Sequence, residues 1–571
     1  MLVLQSSRAF LPIQDALGFG ASDWLVCAIA ALLLLMALAW RPLVEPYAVR
    51  LAERTGWCML LLAVLPVALR LLLLPHHPVP TPDLYDEFGH LLVADTLRHF
   101  RLANPAHPLS QFFETFFVLQ QPTYSSIYPI GQGLALAIGR MLSGQPWTGV
   151  LLATAAFCAL CYWMLRAWTT PAWALAGGLL AAFEFGPLNQ WMNGYWGGAV
   201  AAAAGCLVFG ALPRLRRNPR LRDALLLGAG LALHLLTRPY ESIFLLCAAA
   251  LFFLPVLRRP AEVRALARVA PGALAVLLPA AGLVLLQNRQ VTGSWTNLPY
   301  VLSQYQYGVP AALTFQANLV PHRPLTPQQE RGYQMQLAFR GKGSETLGSF
   351  LARLEYRVRF YRFFFLPALY LALPFFLPAA REFRFAWVLL TLLLFALGVN
   401  FFPAYQHHYL AAVVCLFLLC GVVGLERLSR LRLGGSTAGA EAARLILFVC
   451  AAHFTFWYGL HLFDTREFSQ TLREYETWNQ INHQNPARRI LVQRQLAQIP
   501  GKLLVFVRYW PQHIFQDEWV YNAADIDAAR VVWARDLGPE ENQELQRYYP
   551  DRQAWLLEPD ARPPHLAPYA P

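Results

Sequence analysis

Long apolar stretches recur along the chain and alternate with short polar segments that are rich in arginine. A helix needs about 20 apolar residues to cross the hydrocarbon core of a bilayer, so each stretch predicts a membrane span. The pattern predicts an all-α polytopic membrane protein with about twelve transmembrane helices. The spans are expected near residues 23–41, 56–75, 148–166, 171–186, 195–213, 223–238, 240–257, 269–287, 361–380, 385–402, 408–426 and 444–463.

The arginines between the spans predict which helix ends face the cytoplasm. Short loops that carry clusters of Lys or Arg are typical of the cytoplasmic side of a membrane protein. With the spans above, all the clusters fall on one side, which leaves external loops at 76–126 and 288–360 on the other. The clusters are Arg41, Arg50 and Arg54; Arg214, Arg216, Arg217, Arg220 and Arg222; Arg258, Arg259, Arg264 and Arg268; Arg381 and Arg384; and Arg427, Arg430 and Arg432.

The apolar segment 127–142 is predicted to be a juxtamembrane or re-entrant helix. Counting it as a further span would put the next arginine cluster on the wrong side of the membrane. Partly inserted backbone must be sheltered by protein or line a wet cavity, so the segment is a candidate wall of a site. The alternative is an ordinary span with one cluster that breaks the positive-inside rule.

The chain becomes polar after residue 463, with short apolar runs between polar residues. We therefore expect a transmembrane domain over 1–463 and a small periplasmic α/β domain over 464–571 that serves acceptor recognition, docking or capping. The runs predict helices at 485–499 and 540–548 and strands at 503–507, 531–534 and 554–557.

The composition excludes two other classes of protein. Of the 571 residues, 56% are hydrophobic and 14% are charged, and the formal net charge is +12. The positive charge lies in the short loops between spans, so nucleic acid is not an expected partner. The nine cysteines lie in or beside apolar spans, which argues against a disulfide framework. The pair Cys158 and Cys161 has apolar surroundings and is interpreted as two small core residues.

Polar and aromatic residues are concentrated in the predicted external loops. The segment Pro82–His90 places Asp83, Asp86 and Glu87 directly after a span. Acidic, basic, histidine and aromatic residues also lie in the predicted external loops, and they should converge on this face of the membrane. An interfacial belt of aromatic and basic residues is the alternative interpretation. The residues expected to converge are His90, Glu114, Trp191, Tyr195, Trp196, Arg238, Tyr405, His407 and His408.

A carboxylate at this face is a candidate general base. An apolar wall and neighbouring carboxylates raise the pKa of a carboxyl group, which makes it a better proton acceptor near neutral pH. Asp86 is the candidate for this role. Glu87 and Glu114 complete the predicted catalytic group.

Several sequence strings resemble those of the GT-C glycosyltransferases. Asp86-Glu87 follows a span, while Pro122-Thr123-Tyr124 and Tyr128-Pro129-Ile130-Gly131-Gln132-Gly133 lead the juxtamembrane helix. With the many further spans, these motifs are similar to the protein O-mannosyltransferase and lipid A aminoarabinose transferase branch over about residues 56–463. The strings Asn193–Gly198 and Thr237–Glu241 are similar to those of bacterial members. Aminoarabinose transferases have Lys-Pro-Pro where this chain has Tyr128-Pro129-Ile130, so the acceptor is not implied.

The resemblance implies an enzyme of the bacterial inner membrane that moves a hexosyl or pentosyl group, with inversion, from a polyprenyl-phosphate donor. The acceptor would be a lipid, glycan or protein on the periplasmic side. Asp86 would take the proton of the acceptor hydroxyl, and Arg238 with His407 or His408 would stabilise charge on the lipid phosphate. Trp191, Tyr195 and Trp196 could stack on the sugar, and Tyr128 is a further candidate for substrate binding.

A divalent metal ion is an open question for this chemistry. Glu114 could orient the acceptor, or it could join Asp86 in holding a metal ion, as acidic residues do in some relatives. No nucleotide cofactor is expected.

Two other functions remain open. A transporter or flippase of lipid-linked sugars usually has charged pairs inside spans and internal repeats, and neither is clear here. An O-antigen polymerase or ligase would share the large external loop and the lipid-phosphate donor, but it would rely more on loop arginines. A structure in which Asp86, Glu114 and Arg238 line one cavity would favour the transferase.

Overall fold

Most of the chain is helical, and its C-terminal part forms a small mixed sheet with two helices. This agrees with the predicted fold class, an all-α membrane protein followed by a small α/β unit. Residues 464–486 lie outside the described residues, so the division into 1–463 and 464–571 stays a prediction. The computed structural model describes residues 21–341, 344–432, 435–463 and 487–570.

The helices before residue 463 are mostly long and apolar. Segments of 3₁₀ helix interrupt or extend them at Leu254–Arg258, Arg359–Phe364, Pro367–Arg381 and His407–Val413, and a further 3₁₀ turn, Ser110–Phe113, lies in a loop. The α-helices are α1 Ala21–Glu53, α2 Thr55–Leu72, α3 Tyr85–Arg98, α4 Ile130–Ser143, α5 Trp147–Leu165, α6 Pro171–Phe185, α7 Ala199–Arg217, α8 Leu221–Thr237, α9 Pro239–Phe253, α10 Pro260–Thr292, α11 Pro299–Tyr307, α12 Pro327–Arg340, α13 Leu347–Val358, α14 Phe383–Val399, α15 Val414–Ser429 and α16 Ala438–Leu462.

Each predicted span coincides with one of these helices or with a bent helix pair. Among the described residues, seven helices are long and apolar enough to cross a membrane, or up to nine if each bent pair is one span. The remaining predicted spans correspond to α6 and α14, which are apolar but shorter, and to α8 with 17 residues. Leucines such as Leu60, Leu278 and Leu393 are exposed on the outer faces, as expected for a surface that contacts lipid.

The predicted juxtamembrane segment 127–142 contains α4, which has only 14 residues. At 1.5 Å per residue such a helix is about 21 Å long, while the hydrocarbon core of a bilayer is about 30 Å thick. The extended residues of strand β3, Thr123–Ser126, precede α4, and Gly144 ends it with a φ of 78°. The segment is therefore too short to be an ordinary span, as the arginine pattern predicted.

The first external loop folds into α3, a short 3₁₀ turn and three small strands. Strand β3 pairs antiparallel with β1, Asn104–Pro105, on one side and with β2, Val118–Leu119, on the other. Asn104 is buried, and its amide donates to the hydroxyl of Thr96 at 2.8 Å and to the carbonyl of Tyr124 at 3.1 Å. These bonds fix the loop against α3.

The C-terminal part forms a four-stranded sheet. Its strands are β4 Lys502–Val507, β5 Val531–Arg535, β6 Arg552–Glu558 and β7 His565–Pro568, and its helices are α17 Ala487–Gln498 and α18 Pro539–Tyr548. The strand order is β5-β4-β6-β7, with β4 parallel to both neighbours and β7 antiparallel to β6. The predicted helices and strands of this region are all present, and β7 is an edge strand that the apolar pattern did not indicate.

The C-terminal part and the first external loop share one hydrophobic cluster. Phe112, Phe113 and Tyr124 of the loop pack with Phe506 and Leu545 of the sheet and α18. The carboxylate of Asp95 also accepts a hydrogen bond from the backbone N–H of Ala524 at 2.9 Å. Burial of large aromatic side chains is strongly stabilising, so the sheet is docked on the loop that carries the candidate base.

Candidate active site

Asp86 lies in the first turn of α3, where that helix begins beside the end of the spanning helices. Its carboxylate accepts a hydrogen bond from the hydroxyl of Tyr128. Burial raises the pKa of Asp86 to about 6, and the Tyr128 hydroxyl, the Arg238 charge and the Trp196 side chain oppose that rise. A carboxyl group with this pKa is mostly ionised at neutral pH and remains basic enough to accept a proton.

Glu87 faces the protein interior and is 1% exposed. One carboxylate oxygen accepts from the backbone N–H groups of Asp83 at 2.9 Å and Leu84 at 3.2 Å, and the other accepts from that of Tyr195 at 2.8 Å. Burial raises the pKa of Glu87 to about 7, although the three N–H donors favour the charged form. Glu87 thus joins the start of α3 to the loop between α6 and α7 and fixes the position of Asp86.

Glu87→Ala is expected to lower the thermal stability of the protein. The truncation leaves three buried backbone N–H groups without their acceptor and opens a cavity, and each unsatisfied buried donor costs about 1–3 kcal/mol. Thermal unfolding in detergent measures the loss. Glu355→Ala, at an exposed position on α13, is the matched control and should unfold as the wild type does. Equal melting temperatures for the two variants would contradict the positioning role.

Tyr128 reaches Asp86 because α4 packs very closely on α8. A Cβ atom at Gly131 would lie 2.2 Å from the hydroxyl of Thr237, so only glycine permits this approach. The carbonyl of Tyr128 accepts a hydrogen bond from Gln287 of α10 at 3.0 Å. The ring of Tyr128 stacks on His90, with ring centroids 4.2 Å apart. The juxtamembrane segment therefore forms one wall of the site, as its sequence predicted.

The loop between α6 and α7 holds Trp196 beside Asp86. The buried guanidinium of Arg70 donates to the side-chain oxygen of Asn193 at 2.6 Å and ties this loop to α2. Gly198 has a φ of 124°, and a Cβ atom there would lie 2.4 Å from the ring of Trp191. Trp191 and Tyr195 are buried, and the Tyr195 hydroxyl donates to the carbonyl of Pro80 at 2.8 Å. Of the three aromatic residues, Trp196 is partly exposed.

Arg238 lies at the break between α8 and α9, where Pro239 begins the next helix. Its guanidinium carbon is 5.4 Å from the centroid of the Tyr409 ring, and its charge stabilises the ionised form of Asp86. Among the described residues, we find no side chain that accepts a hydrogen bond from this guanidinium. In the part of the chain that the structure describes, its charge acts on the carboxyl groups of Asp86 and Glu241, and no side-chain acceptor occupies its donors.

The two adjacent histidines point into different surroundings. His408 is buried, its ring is 5.1 Å from that of Trp196, and it lies within the electrostatic reach of Arg238 and His90. His407 instead stacks on Phe363 at a centroid distance of 4.0 Å. The structure therefore brings His408 to the site and turns His407 away from it.

Glu114 belongs to a separate polar cluster. Its carboxylate forms an ion pair with Arg323 and accepts a hydrogen bond from Tyr307 at 2.9 Å. Burial raises the pKa of Glu114, and the groups that most affect it do not include Asp86. Glu114 also does not appear among the groups that most affect the pKa of Asp86. The groups that most affect Glu114, led by Arg323 and Tyr307, are thus different from those that most affect Asp86.

The donor set around Asp86 does not fit a metal ion held with Glu114. Asp86 already accepts from Tyr128 and faces a guanidinium, while the charge of Glu114 is compensated by Arg323. Within the residues that the structure describes, no group of three or more His, Cys, Asp or Glu residues could hold a metal ion.

Further residues surround Asp86. His90 was among the residues expected on this face, whereas three tyrosines were not selected from the sequence. Burial and the charge of Arg238 lower the pKa of His90 to about 3, so this ring is neutral beside Tyr128. The tyrosines Tyr85, Tyr300 and Tyr409 lie within electrostatic reach of Asp86. His90 follows Asp86 by four residues, which puts both on one face of a helix, and that spacing was the available signal.

The C-terminal part also reaches this site. The ring of Tyr521 stacks on Phe88 of α3 with centroids 4.4 Å apart, and Tyr521 lies within electrostatic reach of Asp86 and Tyr85. The guanidinium of Arg489 on α17 lies 4.7 Å from the centroid of the Phe88 ring. The helix that carries Asp86 is thus covered by residues more than 400 positions later in the chain.

No family model matches the chain, and no curated protein matches it in sequence. Among solved structures, it is similar to ArnT from Cupriavidus metallidurans in the apo state, with 12% identity, a TM-score of 0.48, and 89% of this chain and 93% of that chain covered. For the same protein bound to undecaprenyl phosphate, the identity is 14%, the TM-score is 0.47, and 88% of this chain and 93% of that chain are covered. A third similar structure is the oligosaccharyltransferase AglB from Archaeoglobus fulgidus in complex with an inhibitory peptide and a dolichol-phosphate. Here the identity is 11%, the TM-score is 0.38, and 88% of this chain and 69% of that chain are covered.

Proposed function

We propose that the chain is an integral-membrane glycosyltransferase of the GT-C kind, which moves a sugar from a polyprenyl-phosphate donor to an acceptor hydroxyl. The site lies on the side that the arginine pattern predicts to be external, which would be the periplasmic side of a bacterial inner membrane. One observation carries the proposal. A desolvated carboxylate, Asp86, lies within electrostatic reach of the Arg238 guanidinium, whose donors have no acceptor among the described side chains.

The proposed reaction is a direct displacement at the anomeric carbon. The acceptor hydroxyl gives its proton to Asp86, and its oxygen forms a bond to the anomeric carbon with inversion. The bond between that carbon and the phosphate oxygen breaks, and the electron pair leaves with the polyprenyl phosphate. Arg238 faces the place where this negative charge develops. A fixed guanidinium stabilises such charge strongly at the edge of a low-dielectric site.

The other residues hold these two groups in place. Tyr128 donates to Asp86 and favours its ionised form, so Asp86 is ready to accept a proton. Glu87 fixes the start of α3 through backbone N–H groups. We assign contacts with the sugar or the acceptor to Trp196 and to Tyr521 of the C-terminal part, because both are partly exposed and lie near Asp86. Glu114 supports the external loops through Arg323 and Tyr307.

The test uses the full-length protein in lipid nanodiscs with undecaprenyl-phosphate-linked hexoses and pentoses as donors. A total bacterial lipid and glycan extract supplies the acceptors, and mass spectrometry follows the undecaprenyl phosphate that is released. We expect time-dependent release from at least one donor, and release that is slower by at least about 100-fold with Asp86→Asn. Absence of release, together with movement of the intact donor across vesicle membranes, would support the transporter alternative and overturn the proposal.

Transfer by the wild type should increase with pH through about 6 and then level off. The base must be ionised to accept a proton, and the pKa of Asp86 is about 6, so activity is lost as the pH falls below that value. Tyr128→Phe removes a hydrogen bond that favours ionised Asp86, so the rise of activity with pH should occur at higher pH. The measurement is kcat/KM for one donor between pH 5 and 8.

Asn288→Ala is a matched control for the pH profile. Among the described residues, its side chain donates to the carbonyl of Trp295 at 3.1 Å, also on the predicted external side, so activity should still rise near pH 6. If kcat/KM rises at the same pH in the wild type and in Tyr128→Phe, a group other than Asp86 controls the pH dependence.

A further inference from the structure

A polar cavity lies at the opposite end of the molecule from Asp86. Its volume is about 290 Å³, and it is lined by the chain after α5, the end of α7, the start of α14 and the end of α15. Five guanidinium groups line it, from separate parts of the sequence. They belong to Arg166, Arg217, Arg384, Arg427 and Arg430.

The direction of the helices shows that the two sites are at opposite ends. Helix α7 begins three residues after Trp196 at the candidate active site and ends at Arg217 in the cavity. The segment His407–Ser429 likewise begins beside His408 and ends beside Arg430. The arginine pattern predicts that the cavity end faces the cytoplasm.

Carboxylates compensate only part of the charge of this cavity. Glu382 forms ion pairs with Arg384 at 2.9 Å and with Arg427 at 2.7 Å. Glu426 forms an ion pair with Arg430 at 2.5 Å. These two carboxylates are the acidic groups in the lining, so five guanidinium groups leave a formal charge of +3.

The two remaining arginines are held by backbone carbonyls. Arg166 donates to the carbonyl of Ala52 at 3.0 Å, and Arg217 donates to that of Ala167 at 3.0 Å. Each contact uses one of the five N–H donors of a guanidinium and none of its charge. Both side chains are therefore oriented and keep donors for a further acceptor.

The mouth of the cavity is placed to meet a lipid headgroup. The side chains of Arg384 and Arg427 are 40% and 31% exposed, so both can reach a ligand from outside. Phe383 and Leu431, next in sequence to Arg384 and Arg430, are exposed apolar residues. Cationic groups beside exposed apolar residues at a span end are suited to a ligand with an anionic head and apolar tails.

We propose that this cavity binds the phosphate of an anionic phospholipid from the adjacent leaflet. The arginines supply charge-assisted hydrogen bonds to the phosphate oxygens, and the lipid tails remain in the bilayer beside Phe383. This site is independent of the transferase site and needs no transfer activity to be detected. The alternative ligand is a soluble phosphate, which has the same charged group but no tails.

The test measures lipid binding to the full-length protein by native mass spectrometry in detergent. Phosphatidylglycerol, phosphatidylcholine and inorganic phosphate are added in separate titrations. The double variant Arg384→Gln/Arg427→Gln should bind phosphatidylglycerol roughly 10- to 30-fold more weakly than the wild type. The wild type should bind phosphatidylcholine and inorganic phosphate much more weakly than phosphatidylglycerol.

The matched control is the double variant Arg259→Gln/Arg444→Gln. Both arginines pair with a glutamate three residues away on the same predicted side, and neither lines the cavity. This control should bind phosphatidylglycerol as the wild type does. Equal losses in the two double variants would overturn the assignment of the site. Tight binding of inorganic phosphate that the cavity variant loses would assign it to a soluble anion instead.

A second variant keeps the proposal testable if the cavity variant does not fold. Glu382→Gln removes the carboxylate that engages both Arg384 and Arg427, and it leaves all five arginines in place. Its binding of phosphatidylglycerol should be several-fold tighter than that of the wild type. Unchanged or weaker binding in Glu382→Gln would contradict the proposed site.

Discussion

Asp86→Asn is expected to reduce sugar transfer by about two to four orders of magnitude. The substituted amide has nearly the size of the carboxylate and can still accept the hydrogen bond from Tyr128, but it cannot take a proton from the acceptor hydroxyl. Donor binding should largely survive, because the charge that faces the donor phosphate is that of Arg238. Single-turnover transfer and donor affinity, measured on the same preparation, separate the two effects.

The same variant should not lose thermal stability at pH 7.5. The pKa of Asp86 is raised to about 6 in the folded protein, so the folded state disfavours the ionised side chain. This penalty is present above about pH 6 and disappears below the unfolded-state pKa near 4, and Asn removes it at all pH values. We therefore expect the melting temperature of Asp86→Asn to equal or exceed that of the wild type.

Asp83→Asn is the matched control for this experiment. It removes a carboxylate of the same loop, three residues earlier, by the same chemical change. Most of the transfer activity should remain, because no proton transfer is assigned to Asp83. An Asp86→Asn protein that transfers sugar at near the wild-type rate would show that Asp86 is not the base.

The fold was predictable because its main signals are local in sequence. Apolar length alone located the spans, and the arginine clusters indicated that segment 127–142 does not cross the membrane. Helix α4, with 14 residues, agrees with that prediction. In the C-terminal part, short apolar runs located β4, β5 and β6, whereas β7, His565–Pro568, has no such run. What the sequence could not provide was the docking of this sheet on the loop that carries Asp86.

The candidate site was predictable in part. Asp86, Tyr128, Trp196, Arg238 and His408 meet because each follows or precedes a helix at the same end of the bundle, and chain topology alone indicates that. The direction of a side chain is not fixed by topology. His407 and His408 are adjacent in sequence, yet the first stacks on Phe363. Such a difference depends on local packing and cannot be read from position.

The pairing of Glu114 with Arg323 could not be predicted, because the two residues are far apart in the sequence. Arg323 is 209 residues away and lies in the second external loop, so no spacing rule connects the two. The same holds for Tyr300 and Tyr521, which approach Asp86 from the second loop and from the C-terminal part. Aromatic residues near span ends also match an interfacial belt, so their type did not single them out.

Arg238→Gln is expected to reduce kcat/KM for the polyprenyl-phosphate donor by about two to three orders of magnitude. The charge of the guanidinium acts on Asp86, and we find no acceptor of its hydrogen bonds among the described side chains, so the substitution removes the charge that we propose to bind the phosphate. Glutamine retains some hydrogen-bonding capacity but no charge. Donor binding should be weaker and the transfer step slower, because the phosphate is already anionic when bound and gains further charge as it leaves.

Arg238→Lys and Arg101→Gln complete the test of the anion site. Lysine keeps the charge but lacks the planar fork of donors, so Arg238→Lys should recover part of the donor affinity. Arg101 is exposed in the first external loop, and Arg101→Gln should leave donor affinity unchanged. A donor affinity that survives in Arg238→Gln would contradict this role, and it would leave Asp86 to be judged by its own variant. Arg238→Gln weakens donor capture while Asp86→Asn preserves it, so donor affinity alone separates the two variants.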